Sequence, residues 1–128
     1  MTDGIRSGQI DLPHTDLAPR LARELVSELA SELPQLAEDA QVAASELVTN
    51  AVVHTPPTAA LRLYMRVDRA GSIHLAVSDG SSQAPRIQDP DGEAEGGRGL
   101  QIIQQLSTQW GYARDRRDGK TVWLELRL

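Results

Sequence analysis

Residues 44–55 read ASELVTNAVVHT, and at helical pitch this run sets two strongly polar side chains into an otherwise apolar surface. Followed back to residue 36, the pattern puts Leu36, Ala40, Ala43, Ala44, Leu47, Val48 and Ala51 on one wide apolar face. Glu38, Gln41, Ser45 and Thr49 fall on the opposite side. Glu46 and Asn50 belong to neither set. Four residues apart, they share a narrow stripe bordered by Ala43 and Leu47 on one flank and by Val42 and Val53 on the other. A carboxylate and an amide placed this way need a partner, because a buried polar group left unpaired costs about 1–3 kcal/mol. Protein, water or a ligand can supply it.

Working outward, the 128 residues are 40% hydrophobic and 24% charged, which fits one globular domain with a single core. The absence of cysteine excludes disulfides and thiolate metal ligands and is compatible with a reducing cytoplasm. The opening MTDGIRSG lacks the apolar segment of a signal peptide, and no apolar run approaches the roughly 20 residues of a membrane span. A soluble, cytoplasmic protein without a membrane partner is expected. The formal net charge of −5 argues against direct nucleic-acid binding, which needs a basic face to meet the phosphate backbone. Arg114, Arg116 and Arg117 do cluster, but Asp115 and Asp118 interleave them. With 3% aromatic residues and no Phe, the core is expected to consist of Leu, Val, Ile and Ala.

In chain order, residues 1–8 are read as a flexible N-terminal lead and residues 9–128 as a single domain. Residues 9–12 suit a short edge strand halted by Pro13. Thr15 or Asp16 then caps a helix with Pro19 in its first turn and with Leu21, Leu25, Leu29 and Leu33 at four-residue spacing. Pro34 separates it from the helix that carries Glu46 and Asn50, which runs over residues 35–54 until Pro56 and Pro57 end it. So short a connector predicts antiparallel packing of the two helices. From residue 61 the period changes to two: Leu61, Leu63, Met65 and Val67, then Ile73, Leu75 and Val77, mark two strands joined by a hairpin over residues 68–72. The stretch over residues 79–97 is dense in Gly, Pro, Ser, Asp and Glu, and such long loops are functional or disordered. A short helix over residues 99–106 and strands over 110–114 and 121–128 close the chain. The resulting order predicts an α+β two-layer sandwich, its helices on one face of a mixed or antiparallel sheet.

Three further features line up with Glu46 and Asn50. Asp79 and Gly80 stand where the apolar run IHLAV enters the loop, so a carboxylate ends a strand beside a residue that permits close backbone approach. Gly96, Gly97, Arg98 and Gly99 open the next helix, where free N–H groups and the positive end of the helix dipole suit a phosphate. Gly119, Lys120 and Thr121 begin the last strand, from which a hydroxyl can reach the same crevice. Plainer readings stand beside these. Glu46 and Asn50 can close a polar network with Arg62 or the sheet, and Asp79 can be a turn former. His54 suits a helix C-terminus, Lys120 and Arg98 can be solvated, and Trp110 and Trp123 suit core or sheet packing.

Taken together and in order, ELVTNAVVHT, VSDGS, GGRGL and WG with GKTVWLEL resemble the nucleotide-binding fold of gyrase, histidine kinases and MutL, called the GHKL or Bergerat fold. Within it the sequence is most similar to the small bacterial anti-sigma regulators of serine/threonine-kinase type, over about residues 13–128. The resemblance implies ATP and Mg²⁺ as ligands, Glu46 as general base, and Asn50 as the amide that holds Mg²⁺ against the phosphates. It implies Asp79, with Gly80 beside it, as acceptor for the adenine amino group. Gly97, Arg98, Gly99 and Leu100 would wrap the phosphates, and Thr121 would support the adenine. The implied partners are a sigma factor and a STAS-type anti-anti-sigma protein phosphorylated on serine, with a homodimer formed through the first helix and the strand before it. These residue types suit phosphoryl transfer, which needs positioning and charge neutralisation more than covalent help. The sequence departs from the family pattern where Ser81, Ser82 and Gln83 follow Gly80, and where Glu95 and Gly96 replace a basic residue before the glycine box. Two alternatives remain: a nucleotide-dependent binding module without catalysis, and an interaction domain without nucleotide.

Overall fold

The computed structural model describes residues 6–79, 97–114 and 119–127. β1 (Arg6–Leu12) is followed by α1 (Ala18–Leu29), α2 (Pro34–His54), β2 (Leu61–Val67) and β3 (Ser72–Asp79). Then come α3 (Gly97–Leu106), β4 (Gln109–Arg114) and β5 (Lys120–Arg127). The strands form one sheet in the order β1-β2-β3-β5-β4, and every neighbouring pair is antiparallel.

Strict alternation decides which face of the sheet the helices cover. In β2, Leu61, Leu63, Met65 and Val67 are buried while Arg62, Tyr64 and Arg66 are exposed. The register carries the buried row across Ile73, Leu75 and Val77 of β3 and Val122, Leu124 and Leu126 of β5. β1 begins earlier than expected. Arg6, Ser7 and Gly8, assigned to a flexible lead, pair instead with Val67, Arg66 and Met65. Gly8 suits the place because α1 closes down over it: a Cβ there would stand 3.2 Å from Leu29 Cδ1.

α1 departs from its leucine stripe. The residues it buries are Ala18, Ala22, Val26 and Leu29, whereas Leu21, Leu25 and Leu33 are only partly covered. Small side chains at the contact let α1 lie close to α2 and the sheet, and the leucines then flank that contact. The Thr15 hydroxyl accepts the Leu17 N–H at 3.2 Å just ahead of the helix, and no side chain caps α1 itself. The helix stops at Leu29, four residues before Leu33. α2 buries the face read from its pattern: Leu36, Ala40, Ala43, Ala44, Leu47, Val48 and Ala51.

Between β2 and β3 the Asp68 carboxylate accepts the backbone N–H groups of Ala70 at 3.0 Å and Ser72 at 3.1 Å, with Gly71 at a φ of 84°. Partial burial works against ionisation of Asp68, but these hydrogen bonds and His74 hold its carboxyl below the ordinary value. The sheet face away from the helices is open and polar. There Arg62 Nε meets Asp11 Oδ1 at 2.6 Å, and His74 lies 3.4 Å from both Asp68 and Glu125. Trp110 packs against the core, while Trp123 lies on the open face across Gly111. Among the described residues no helix is long and apolar enough to cross a membrane.

Candidate nucleotide site

α2 presents Glu46 and Asn50 one turn apart at the margin of its buried face. Both are half-buried, and among the described residues neither side chain makes a hydrogen bond or an ion pair. Burial pushes the Glu46 carboxyl above its ordinary value. Arg62, the cation that a purely structural network would recruit, is on the other side of the sheet beside Asp11. Inward Leu61 and Leu63 dictate that placement, since successive side chains of a strand point to opposite faces.

A second polar group stands at one end of the sheet. Asp79 and Lys120 are register partners on the helix-covered face, only 7% and 5% exposed, with Nζ 4.0 Å from Oδ2. Thr121, expected to support the base on this side, points the other way. It pairs with Ser78, and the two hydroxyl oxygens lie 2.9 Å apart on the open face. A one-residue step along a strand changes the face, so Lys120 takes the position expected of Thr121. The signal was in the sequence: if Val122, Leu124 and Leu126 point inward, so does Lys120.

The register also brings α2 to this end of the sheet. Leu12 pairs with Leu61, and Arg62 with Ser78, so Leu12, Leu61, Asp79 and Lys120 follow one another across it. His14, two residues past Leu12, has Nε2 2.8 Å from the Thr55 hydroxyl, which itself donates to the Ala51 carbonyl. With its hydrogen committed to Ala51, Thr55 accepts from the ring, and the C-terminus of α2 is tied down beside Leu12. Neither residue stood out in the sequence, because a contact between positions 41 apart leaves no periodic trace.

α3 opens earlier than expected, so Gly97, Arg98, Gly99 and Leu100 form its first turn. The N–H groups of a first turn have no partner within the helix and face an anion favourably. α3 packs on α2, the helix that carries Glu46 and Asn50, with Ile103 fully buried. Gly80 lies outside the described residues, as does the stretch 80–96. Among the described residues no cluster of three His, Asp or Glu forms a metal cage. The half-buried Asn50 amide still fits Mg²⁺, which commonly takes one or two protein oxygens and fills its shell with phosphate and water.

The same fold recurs in solved structures. The RsbU and RsbW domains of Rv1364c from Mycobacterium tuberculosis match 96% of this chain with a TM-score of 0.71 and 22% identity, and this chain spans 32% of that one. The histidine kinase domain from the Erythrobacter litoralis EL346 blue-light activated histidine kinase matches 84% of this chain and 61% of its own, with a TM-score of 0.54 and 20% identity. The mycobacterial sensor histidine kinase MprB matches 93% of this chain and 97% of its own, with a TM-score of 0.53 and 13% identity. At such identities the likeness establishes the fold. None of the curated proteins is significantly similar to the chain in sequence. Residues 12–126 match the histidine kinase-like ATPase domain, and on that nearly complete match the chain belongs to this family, whose fold binds ATP.

Proposed function

We propose that the chain binds ATP with Mg²⁺ between α2, the first turn of α3 and the Asp79 end of the sheet, and phosphorylates a serine of a STAS-type anti-anti-sigma protein. Through that partner it controls a sigma factor. The observation that carries the reading is the pair Glu46 and Asn50, half-buried one turn apart and without protein partners among the described residues. Family membership and the anti-sigma resemblance of the motifs support it further.

In this reading Glu46, made more basic by burial, accepts the proton of the serine hydroxyl. The serine oxygen bonds to the γ-phosphorus as the bond to the β,γ-bridging oxygen breaks, and ADP leaves with that electron pair. Asn50 offers its amide oxygen to Mg²⁺, Asp79 accepts from the adenine amino group, and Gly97, Arg98, Gly99 and Leu100 cradle the phosphates, with Gly80 near the base. A homodimer through α1 and β1 belongs to the same proposal, since β1 is an edge strand with one row of N–H and C=O groups open to pairing.

The test is Glu46→Gln. The variant is expected to bind ATP within about twofold of the parent by calorimetry, while transfer of labelled phosphate to the serine protein falls by roughly 10²–10⁴. Transfer at the parent's rate removes Glu46 from the role of base. The acidic run Asp89, Asp91, Glu93 and Glu95 ahead of the glycine box favours a second reading, in which ATP alters partner affinity without being consumed. Intact ATP after prolonged incubation with the phosphoacceptor protein would select it.

A further inference from the structure

The solvated face of an antiparallel sheet is ordinarily polar, but the middle row of this one is not. Across the strands it reads Gln9, Tyr64, Ala76, Trp123 and Gly111. Tyr64 and Trp123 stay 38% and 37% exposed, and only the Ala76 methyl group stands between them. Adjacent strands lie about 4.8 Å apart, so the two aromatic side chains rise from strands about 10 Å apart with Ala76 as the floor. The Trp123 ring lies over Gly111, on the side away from β3, and Tyr64 hydrogen-bonds Arg62 on its own strand. Between them is a cleft of about 500 Å³, bordered also by Gln9, Arg66 and His74. That volume is within the range of small-ligand sites.

One row along, about 7 Å by strand rise, stand Ser7, Arg66, His74 and Glu125. Other charges on this face are matched. Arg62 meets Asp11, His74 lies between Asp68 and Glu125, and Arg127 Nε is 2.8 Å from Glu125 Oε1. Arg66 is exposed, and among the described residues its guanidinium makes no hydrogen bond or ion pair. The geometry points to a binding site for a planar aromatic carboxylate, its ring over Ala76 between Tyr64 and Trp123 and its carboxylate on Arg66. The guanidinium fork matches a carboxylate with two parallel hydrogen bonds, and the aromatic walls supply apolar contact and ring packing. The cleft lies on the face of the sheet away from Asp79 and the helices, so it stands apart from the nucleotide reading.

The test is titration of the full chain, without nucleotide, with 2-naphthoate and with its uncharged analogue 2-naphthamide, followed by the two indole N–H resonances in ¹H–¹⁵N spectra. Trp110, packed against the core, is the internal control. With naphthoate the Trp123 resonance is expected to shift saturably while that of Trp110 stays in place, and the amide is expected to bind about 10-fold more weakly for want of the charge-assisted pair. Arg66→Met is expected to bind both probes alike, and Tyr64→Ser to weaken both. Equal affinity of the parent for the two probes overturns the carboxylate assignment. A preference for the acid that survives in Arg66→Met removes Arg66 from the site. A Trp123 resonance that ignores both probes, or that moves on dilution of the protein alone because a second copy covers this face, overturns the site itself.

Discussion

A carboxylate set half against Ala43 and Leu47 is pulled in opposite directions by stability and by chemistry. Burial raises the folded-state value of Glu46 above its unfolded one, so the folded protein holds this proton more tightly. The contribution is most favourable below the ordinary carboxylate range and is lost as pH rises through the folded value. Asp68, depressed in the fold, has the opposite sign: its contribution is present above the ordinary value and lost as pH falls. Glu46→Gln isolates the first effect. The melting temperature of the variant minus that of the parent is expected to grow as pH is raised from about 4 to about 7; a flat difference across that window removes the burial argument. Glu46 and Asn50 were legible in the sequence because a helix repeats on itself, and two polar residues on an apolar flank stand out against that period. Lys120 was not, because GKT draws the eye to the hydroxyl, and only counting back from Val122 shows which of the two side chains faces the helices.

Among the elements, β4 and β5 meet by leaving a side chain out. Trp123 remains 37% exposed, and its ring covers Gly111 so closely that a Cβ there would stand 2.8 Å from Cζ2. Gly111→Ala is expected to lift the ring off the sheet and cost about 1 kcal/mol. Urea unfolding reads the loss, and a red-shifted emission of Trp123 in a Trp110→Phe background reads the displacement; unchanged emission would show that the ring does not depend on the gap. Element types and order were legible throughout, since β2 and β3 alternate cleanly and α2 has a continuous apolar face. The face of α1 was not. Its leucines repeat every four residues, but alanines at 18 and 22 permit the closest approach, and closeness decides burial. Residues 6–8 were passed over for a similar reason, as Ser7 and Gly8 have little strand propensity and are held by pairing with β2.

For the whole molecule the nucleotide is expected to act as a structural partner. A ligand that binds only the folded state at about 100 times its Kd adds about 2.7 kcal/mol of stability. ATP with Mg²⁺ should therefore raise the melting temperature by several degrees, and the rise should vanish in Asp79→Asn when each protein is compared with its own ligand-free state. A rise of equal size in the variant would place the base elsewhere. The sheet order adds something about how the molecule is made. β5 is the last strand in chain order yet lies between β3 and β4, not at an edge. Until it arrives, β3 has paired with β2 on one side only, and the other side is an unpaired edge bearing Ile73, Leu75 and Val77. Pairing across so long a separation is slow, and an open apolar edge invites other chains while it waits. Asp79 meets Lys120 only when β5 docks, so the buried charge pair at this end of the sheet is completed by the last strand.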